Sequence, residues 1–414
     1  MSRIDELIAE LCPDGVEFKE LGEVITSLRT GLNPRQNFTL NPSGAENYYV
    51  TVRELGGFDV RVSGKTDRVD DVGLALIQNR SKLQAGDVLF SGTGTIGRTA
   101  FVAEKPDNWN IKEGVYAITP DPKAIHAKFL IYLFHTSTIR CQILAQADGS
   151  TVASIGMAIL KKIRIPVPPL EVQREVVKIL DTFTKLEAEL EAELEARQRQ
   201  YKYYRDALLG FDDRENIRWA TLGEIGNFVR GSGIQKSDFT ESGVGCIHYG
   251  QIHTHYGTWA NESKSFISPD FAARLRKART GDLVIATTSE DDEAVAKAVA
   301  WLGDENVAVS TDAYIFQHSL NPKYVSYFFQ TELFQSQKKP HITGTKVRRI
   351  SGESMAKIRM PVPPLDEQER IVAILDKFDT LVNDLSSGLP AELKARRQQY
   401  AHYRDRLLSF REAA

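Results

Sequence analysis

From Ile163 the chain reads IRIPVPPLEVQREVVKILDTFTKLEAELEAELEARQRQYKYYRDALLGF, and from Ile358 it reads IRMPVPPLDEQERIVAILDKFDTLVNDLSSGLPAELKARRQQYAHYRDRLLSF. The copies match 195 residues apart from Ile163/Ile358 to Phe183/Phe378, and 199 residues apart from Ala196/Ala395 to Phe211/Phe410. The second copy has gained four residues in mid-helix, close to one turn. A single slip inside matching segments is what duplication leaves behind, so the chain reads as two halves.

Each copy carries its own structural logic. Pro166, Pro168 and Pro169, like Pro361, Pro363 and Pro364, enforce an extended lead-in that cannot be helical. Apolar residues then recur every three or four positions: Val176, Leu180, Phe183, Leu186, Leu190, Leu194, Tyr201, Tyr204 and Leu208 in the first copy. Ile371, Leu375, Phe378, Val382, Leu385, Leu389, Leu393, Tyr400, Tyr403 and Leu407 do the same in the second. The spacing predicts two helices of about forty residues, roughly 55–60 Å long. An apolar stripe of that length wants a partner, and the other copy is at hand, which predicts an antiparallel coiled coil. The alternative is a long surface helix packed on each domain. Gly388 and Pro390 mark the weakest point of the second helix.

At 414 residues the chain is too long for one compact core. Its net charge of −3 confines any nucleic-acid surface to local patches. Cys12, Cys141 and Cys246 lie far apart without a CxxC pair, which suits a reducing cytoplasm. No signal peptide or membrane-length apolar run is visible. The predicted fold class is α+β: two strand-rich mixed α/β domains joined by two long helices, as a pseudo-two-fold internal repeat. The boundaries are 1–162, 163–212, 213–357 and 358–414, the second and fourth segments being helical spacers.

The start of the chain has a counterpart too. Val16–Val24 (VEFKELGEV) matches Ile217–Ile225 (IRWATLGEI) at an offset of 201, and the short helix Ile4 to Leu11 matches the end of the first long helix. It is expected to pack near the C-terminal helix. Tyr48–Val52 and Asp87–Phe90 read as strands, and 125–146 as one aromatic helix. Gly281–Ile285, Lys323–Gln337 and Gly344–Val347 repeat Gly86–Phe90, the aromatic helix and Gly149–Val152. Between these anchors the halves share little, as expected of two domains that read different things.

Several apparent catalytic signals fail on context. Gly92-Thr93-Gly94-Thr95-Ile96-Gly97 is a literal GxGxxG, but a phosphate loop needs a helix directly after it. A strand-like Thr99–Ala103 follows instead, which predicts a hairpin whose Gly-rich tip can approach a DNA backbone. His253 and His255 form the one close histidine pair, with no carboxylate beside them and no equivalent in the first half. Glu290–Glu293 lacks the lysine of a nuclease site and reads as a solvated loop, or as a reader of cytosine amino groups.

Basic and polar residues collect at the loops, with Arg and Gln suited to base edges and Lys and Thr to phosphates. The candidates for DNA contact are Arg29, Thr30, Arg35, Gln36, Arg53, Ser91, Thr93, Thr95, Arg98, Ser150 and Thr151 in the first half. In the second they are Arg230, Ser232, Gln235, Lys236, Gln251, His253, Thr288, Thr345, Lys346 and Arg348. Arg29 and Arg230 fall in segments read as equivalent, RTGLNPRQNF and RGSGIQKSDF.

Two variable domains, each followed by PVPPLxxQ and a long helix ending in YRDxLL, resemble the DNA-specificity subunit of a type I restriction-modification system. Gln173 and Gln368, the LGEV/LGEI and GDVLF/GDLVI segments, and the LEAE-like repeats from Leu186 carry the likeness over the whole chain. The resemblance implies target-recognition domains at 1–162 and 213–357, each reading half of a bipartite double-stranded DNA site, with the helices as spacer. It implies two methyltransferase subunits, and motor-nuclease subunits in the full complex. S-adenosylmethionine, ATP and Mg belong to those partners, so the chain itself would bind no cofactor or metal and catalyse nothing. Candidates for the subunit interface are Gln173, Tyr201, Tyr204, Arg205, Gln368, Tyr400, Tyr403 and Arg404. Other classes remain: a coiled-coil adaptor that binds only proteins, and a nucleotide-binding enzyme using Gly92–Gly97.

Overall fold

The computed structural model describes residues 3–35, 37–148, 152–211, 217–384 and 386–413. Gln36, Gly149, Ser150, Thr151 and Leu385, singled out above, lie outside the described residues. The chain folds as two compact units, Met1–Leu190 with Leu393–Ala414, and Glu191–Glu392.

Each unit builds the same joint. Phe18–Glu20 pairs antiparallel with Arg164–Pro166 in the first, Phe18 opposite Pro166. Arg218–Thr221 pairs with Arg359–Val362 in the second, Trp219 opposite Pro361. These two-stranded ladders tolerate proline because an edge residue need not donate a hydrogen bond. They lead straight into the long helices.

The main sheet of the first unit is antiparallel, in the order Ile25–Thr30, Val115–Pro120, Val88–Ser91, Thr99–Phe101. The second unit repeats it with Gly226–Arg230, Ala313–His318, Leu283–Ala286 and Ala298–Trp301, then adds Trp259–Ala260 at the edge. The central strands Val88–Ser91 and Leu283–Ala286 are buried along their whole length. That explains why they read as continuous apolar runs and do not alternate. The smaller sheets diverge: three strands in the first unit, with Asn47–Val50 at their centre, and five in the second. The first of these strands ends at Val50, because Thr51 caps the short turn Val52–Glu54.

One irregularity matters for function. A β-bulge lies between Ile25, opposite Pro120, and Ser27, opposite Thr119. The second unit passes the same place without one, Gly226 opposite His318 and Asn227 opposite Gln317. The extra residue changes the offset between halves from 201 to 200, and every side chain beyond it changes face relative to a bulge-free alignment.

The aromatic helix is two helices. Ala127–His135 has every residue from Phe129 to Phe134 buried, which is why its sequence is almost wholly apolar after Lys128. Thr136 then stops it and caps Ser137–Ala145 by accepting from Ile139 N at 3.4 Å. Thr331 does the same between Pro322–Phe328 and Glu332–Lys338, accepting from Phe334 N at 3.2 Å.

The first long helix runs unbroken over 41 residues, Leu170–Gly210. The second does not: Leu365–Asn383 and Leu389–Leu407 are separate helices of 19 residues each. Asp384 ends the former by accepting from Ser386 N at 2.7 Å, and Gly388 allows the close return, since a Cβ there would meet Thr380 O at 2.3 Å. Pro390 sits in the first turn of the next helix, where it has no hydrogen bond to lose. The helix breaks where the second copy carries its four extra residues.

Helix pairing is made in each unit with the roles exchanged. In the first, the Phe183 ring lies 6.1 Å from Tyr400 and 5.8 Å from Tyr403, and Glu187 pairs with Arg397 at 2.6 Å. In the second, Phe378 lies 6.4 Å from Tyr201 and 5.6 Å from Tyr204, and Tyr201 donates to Asp379 at 3.4 Å. Numbering rises along one helix as it falls along its partner, so each pair is antiparallel. The start of the chain packs as expected: Ile4 shares a core with Leu408, and Val16 N donates to Arg411 O at 2.8 Å. Among the described residues, no helix is long and apolar enough to cross a membrane.

Candidate nucleic-acid interface

In the first unit Gly92–Arg98 is the tip of the hairpin between Val88–Ser91 and Thr99–Phe101. Gly92 is required because a Cβ would sit 2.2 Å from the Tyr116 ring. Ser91 is buried, donating to Thr95 O at 2.5 Å and accepting from Arg98 N at 2.8 Å, so it holds the tip and faces no ligand. The tip is pinned to the segment before the proline run: Gly94 N donates to Ala153 O at 2.9 Å, and Thr93 bridges Ser154. Thr93, Thr95 and Arg98 are exposed on it. Arg98 reaches Val52 O at 3.3 Å, beside Arg53, which pairs with Asp67 at 3.0 Å. Strand, tip and Arg53 thus form one edge.

The second unit builds its edge from the same elements and a longer loop. Thr288–Ser289 pairs with Arg348–Arg349, and Ile350 N donates to Thr287 O at 3.2 Å. His253 Nε2 donates to Thr288 O at 2.9 Å, and Arg348 pairs with Asp292 at 2.7 Å. Thr288, His253 and Arg348 are therefore gathered at one place, with Thr345 and Lys346 exposed beside them. Beneath the loop Lys338 is 1% exposed and donates to Glu293 O and Val295 O at 2.9 and 2.8 Å. Burial pushes its amine down to about 8, against the pull of Asp291, Asp292 and Glu293. The first unit has Ile143 at the matching position of its shorter-loop site.

Arg29 and Arg230 do not correspond. Thr30 opposes Tyr116 and Arg230 opposes Tyr314, so Arg230 stands where Thr30 does, and Arg29 stands where Val229 does. Arg29 turns into the domain, 2.8 Å from both oxygens of the fully buried Asp87, and also binds Lys82 O. Thr30 is buried and donates to Val115 O at 3.1 Å. Both were expected at the DNA; their side chains are engaged inside. Asp282, the counterpart of Asp87, accepts no hydrogen bond from an arginine side chain among the described residues, and burial raises its carboxyl despite a hydrogen bond from Arg279 N at 2.8 Å and the nearby Arg279 charge. Arg230 is exposed, 3.2 Å from Thr311 O.

Arg35, Gln235 and Lys236 are exposed, whereas Ser232 accepts from Arg276 N at 2.9 Å and Gln251 donates to Ser265 Oγ at 2.7 Å. Arg274, Arg276 and Lys277 are not among the candidates named above, although Arg276 donates to Arg230 O at 2.7 Å. The run ARLRKAR (273–279) was the available signal. No group of three or more His, Cys, Asp and Glu among the described residues could hold a metal ion. His248 Nδ1 accepts from its own turn, Gly250 N at 3.2 Å.

The expected interface residues divide. Gln173 is fully buried, accepting from His126 N at 2.8 Å and donating to Ala124 O and Pro168 O; Gln368 accepts from Asn321 N at 2.9 Å and donates to Pro363 O. Both tie the domain to its proline segment and are not available to a partner. Tyr201 and Arg205 are likewise buried, Tyr400 and Arg404 half-buried, and Tyr204 and Tyr403 exposed at 40% and 37%.

The architecture defines a class: an internally duplicated protein in which two mixed α/β units each present a loop edge over a helix pair. The chain belongs to the type I restriction modification DNA specificity family, whose domain matches residues 13–196 and again 216–395. It is 36% identical over 265 residues to the specificity subunit of the type I restriction enzyme EcoR124I/EcoR124II of Escherichia coli, covering 60% of this chain. That alignment spans 63% of the E. coli protein's length, under two thirds. A Haemophilus influenzae protein described as a type I restriction enzyme specificity subunit is 30% identical over 295 residues, 67% of this chain and 72% of the relative. A chain solved in work on complex assembly and conformational transition of the type I R-M system shares the fold. It has a TM-score of 0.63 at 19% identity, over 96% of this chain and 98% of that one.

Proposed function

We propose that this chain is the non-catalytic, DNA-reading subunit of a type I restriction-modification complex. Each domain, at 1–162 and 213–357, reads one half of a bipartite duplex site, and the helical segments set the gap and dock two methyltransferase subunits. Motor-nuclease subunits join the full assembly. S-adenosylmethionine, ATP and Mg are bound by those partners, and the complex works in the cytoplasm.

The observation that carries this reading is the repeated edge. Both units keep the same sheet order and tie the segment after the central strand to the one before the proline run, Thr93 to Ser154 and Thr288 to Arg349, yet the charged residues they present there differ, as two readers of different bases should. Arg98, Arg53, Thr93 and Thr95 on one edge, and Arg230, Lys236, Thr345, Lys346 and Arg348 on the other, supply the donors that base edges and phosphates accept. Arg35 and Gln235 are further exposed donors, while Gln251 and His253 hold the second domain's loops through Ser265 and Thr288. Arg29, Thr30 and Ser91 support the edge from inside.

The test is to produce the chain with its methyltransferase and sequence methylated adenines in host DNA. A two-part motif is expected. Arg98→Ala should relax one part only, at a cost of about 1–3 kcal/mol for a base contact. A uniform loss with a flatter salt dependence would instead mark Arg98 as a phosphate contact. An absence of salt-dependent binding to duplex DNA by the chain with its methyltransferase would sink the reading in favour of an adaptor that binds only proteins.

A further inference from the structure

While the reading edges diverged, one set of residues stayed the same in both halves, and it collects where each domain meets its helices. Asp181 accepts from Lys128 Nζ at 2.6 Å and Tyr132 OH at 2.7 Å. Asp376 accepts from Lys323 Nζ and Tyr327 OH, both at 2.7 Å. In each case the lysine and tyrosine are four residues apart, one turn along one helix face. A second carboxylate reaches the domain from the other helix of the pair. Asp405 accepts from Ser137 N at 3.4 Å, and Asp206 accepts from Glu332 N at 3.3 Å. Each is steadied by the arginine before it, Arg404 at 2.8 Å and Arg205 at 3.3 Å.

The ion pair of the first unit adds little stability by itself. The Lys128 and Asp181 side chains are 36% and 37% exposed, and ion pairs that wet contribute little. Their geometry is more telling: two carboxylates, one from each helix, grip the two successive short helices of one domain on either side of Thr136 or Thr331. A body held at two separated points by directional bonds cannot rock about either one.

We infer that Asp181 with Asp405, and Asp376 with Asp206, are positioning residues that fix the angle at which each recognition domain stands on its helix pair. They thereby fix how many base pairs separate the half-sites. This rests on the DNA-reading function proposed above. The helix length sets the coarse gap, and the two carboxylates remove the play around it.

The experiment uses the full chain with its methyltransferase and maps N6-methyladenine genome-wide for Asp181→Asn, Asp376→Asn and the double variant Asp181→Asn with Asp405→Asn. Both half-site sequences should persist, while methylation appears at gaps one base pair from the parent's, most in the double variant. Ile139→Val, a core change in the same domain, is the control for mere destabilisation and should keep the parental gap. If Asp181→Asn does not fold, Lys128→Gln carries the same test from the exposed side. Unchanged gaps in the double variant, or equal broadening by Ile139→Val, overturn the positioning role. A parent chain that directs no bipartite methylation overturns the functional reading itself, and the positioning role with it.

Discussion

Arg29 and Arg230 sit one rung apart on equivalent strands, and their side chains leave opposite faces. The bulge after Ile25 is the cause. Arg29 neutralises Asp87, whose side chain is wholly buried, so removing the arginine strands a carboxylate in the core. Arg29→Ala should cost about 3 kcal/mol in denaturant unfolding, the range for breaking a buried pair. Arg230→Ala, on an exposed side chain, should stay within about 0.5 kcal/mol and alter DNA binding instead. Equal stability losses in the two variants would contradict this assignment.

Lys338 gives the second unit a signature in alkaline solution. Its amine is held near 8 in the fold against 10.5 when unfolded, so between those values the unfolded chain binds more protons. Its contribution to stability therefore rises with pH across that window. Lys338→Met should flatten the slope and, by leaving Glu293 O and Val295 O unpaired, cost about 1–3 kcal/mol. Thermal melts on either side of the window read both effects.

Acid should act through histidines. His135 in the first unit and His318 in the second are each pushed down to about 4 by burial. Thr99 Oγ1 donates to Gly57 O at 2.7 Å, so His135 Nε2, 2.8 Å away, is the donor to it. Groups with lowered histidine pKa contribute stability above about 6.5 that is lost as pH falls toward 4. The variant His135→Gln should lose less stability than the parent between those values, measured by denaturant midpoints. A steeper loss in the variant would reverse the assignment.

The spacer offers a test of length. One more Leu-Glu-Ala-Glu unit after Glu193 adds roughly 6 Å of helix. At about 3.4 Å per base pair, the gap should lengthen by about one or two base pairs while the half-sites persist. Inserting a single residue would rotate the distal stripe by about 100° and should abolish assembly. The second copy already carries a four-residue step in this region, where Gly388 N donates to Asp384 O between its two helices. Methylome sequencing of the insertion variant decides; a constant gap would refute the ruler.

Periodicity and duplication made much of this protein readable from its sequence. A stripe repeated every three or four residues implies a helix whatever surrounds it, and two copies in register imply one joint built twice. The hairpin at Gly92–Arg98 was readable for a similarly local reason, since a strand-like run follows where a phosphate loop needs a helix. Gly388 and Pro390 marked the weak point of the second helix, though not that it breaks there into two.

Which side chains face the candidate DNA edge was decided only in three dimensions. A pleat has a period of two, so the one-residue bulge after Ile25 turned a strong sequence match, Arg29 with Arg230, into opposite faces. Partners that absorb a charge lie far along the chain: Arg29 meets Asp87 58 residues on, and Lys338 meets carbonyls 45 and 43 residues back. Gln173 and Gln368 look like polar surface residues until the fold closes over them, because burial is a property of what packs around a residue. The sequence by itself determined the duplication, the helices and the candidate edges; the tertiary structure decided which of the charged residues had already been used to hold the domains together.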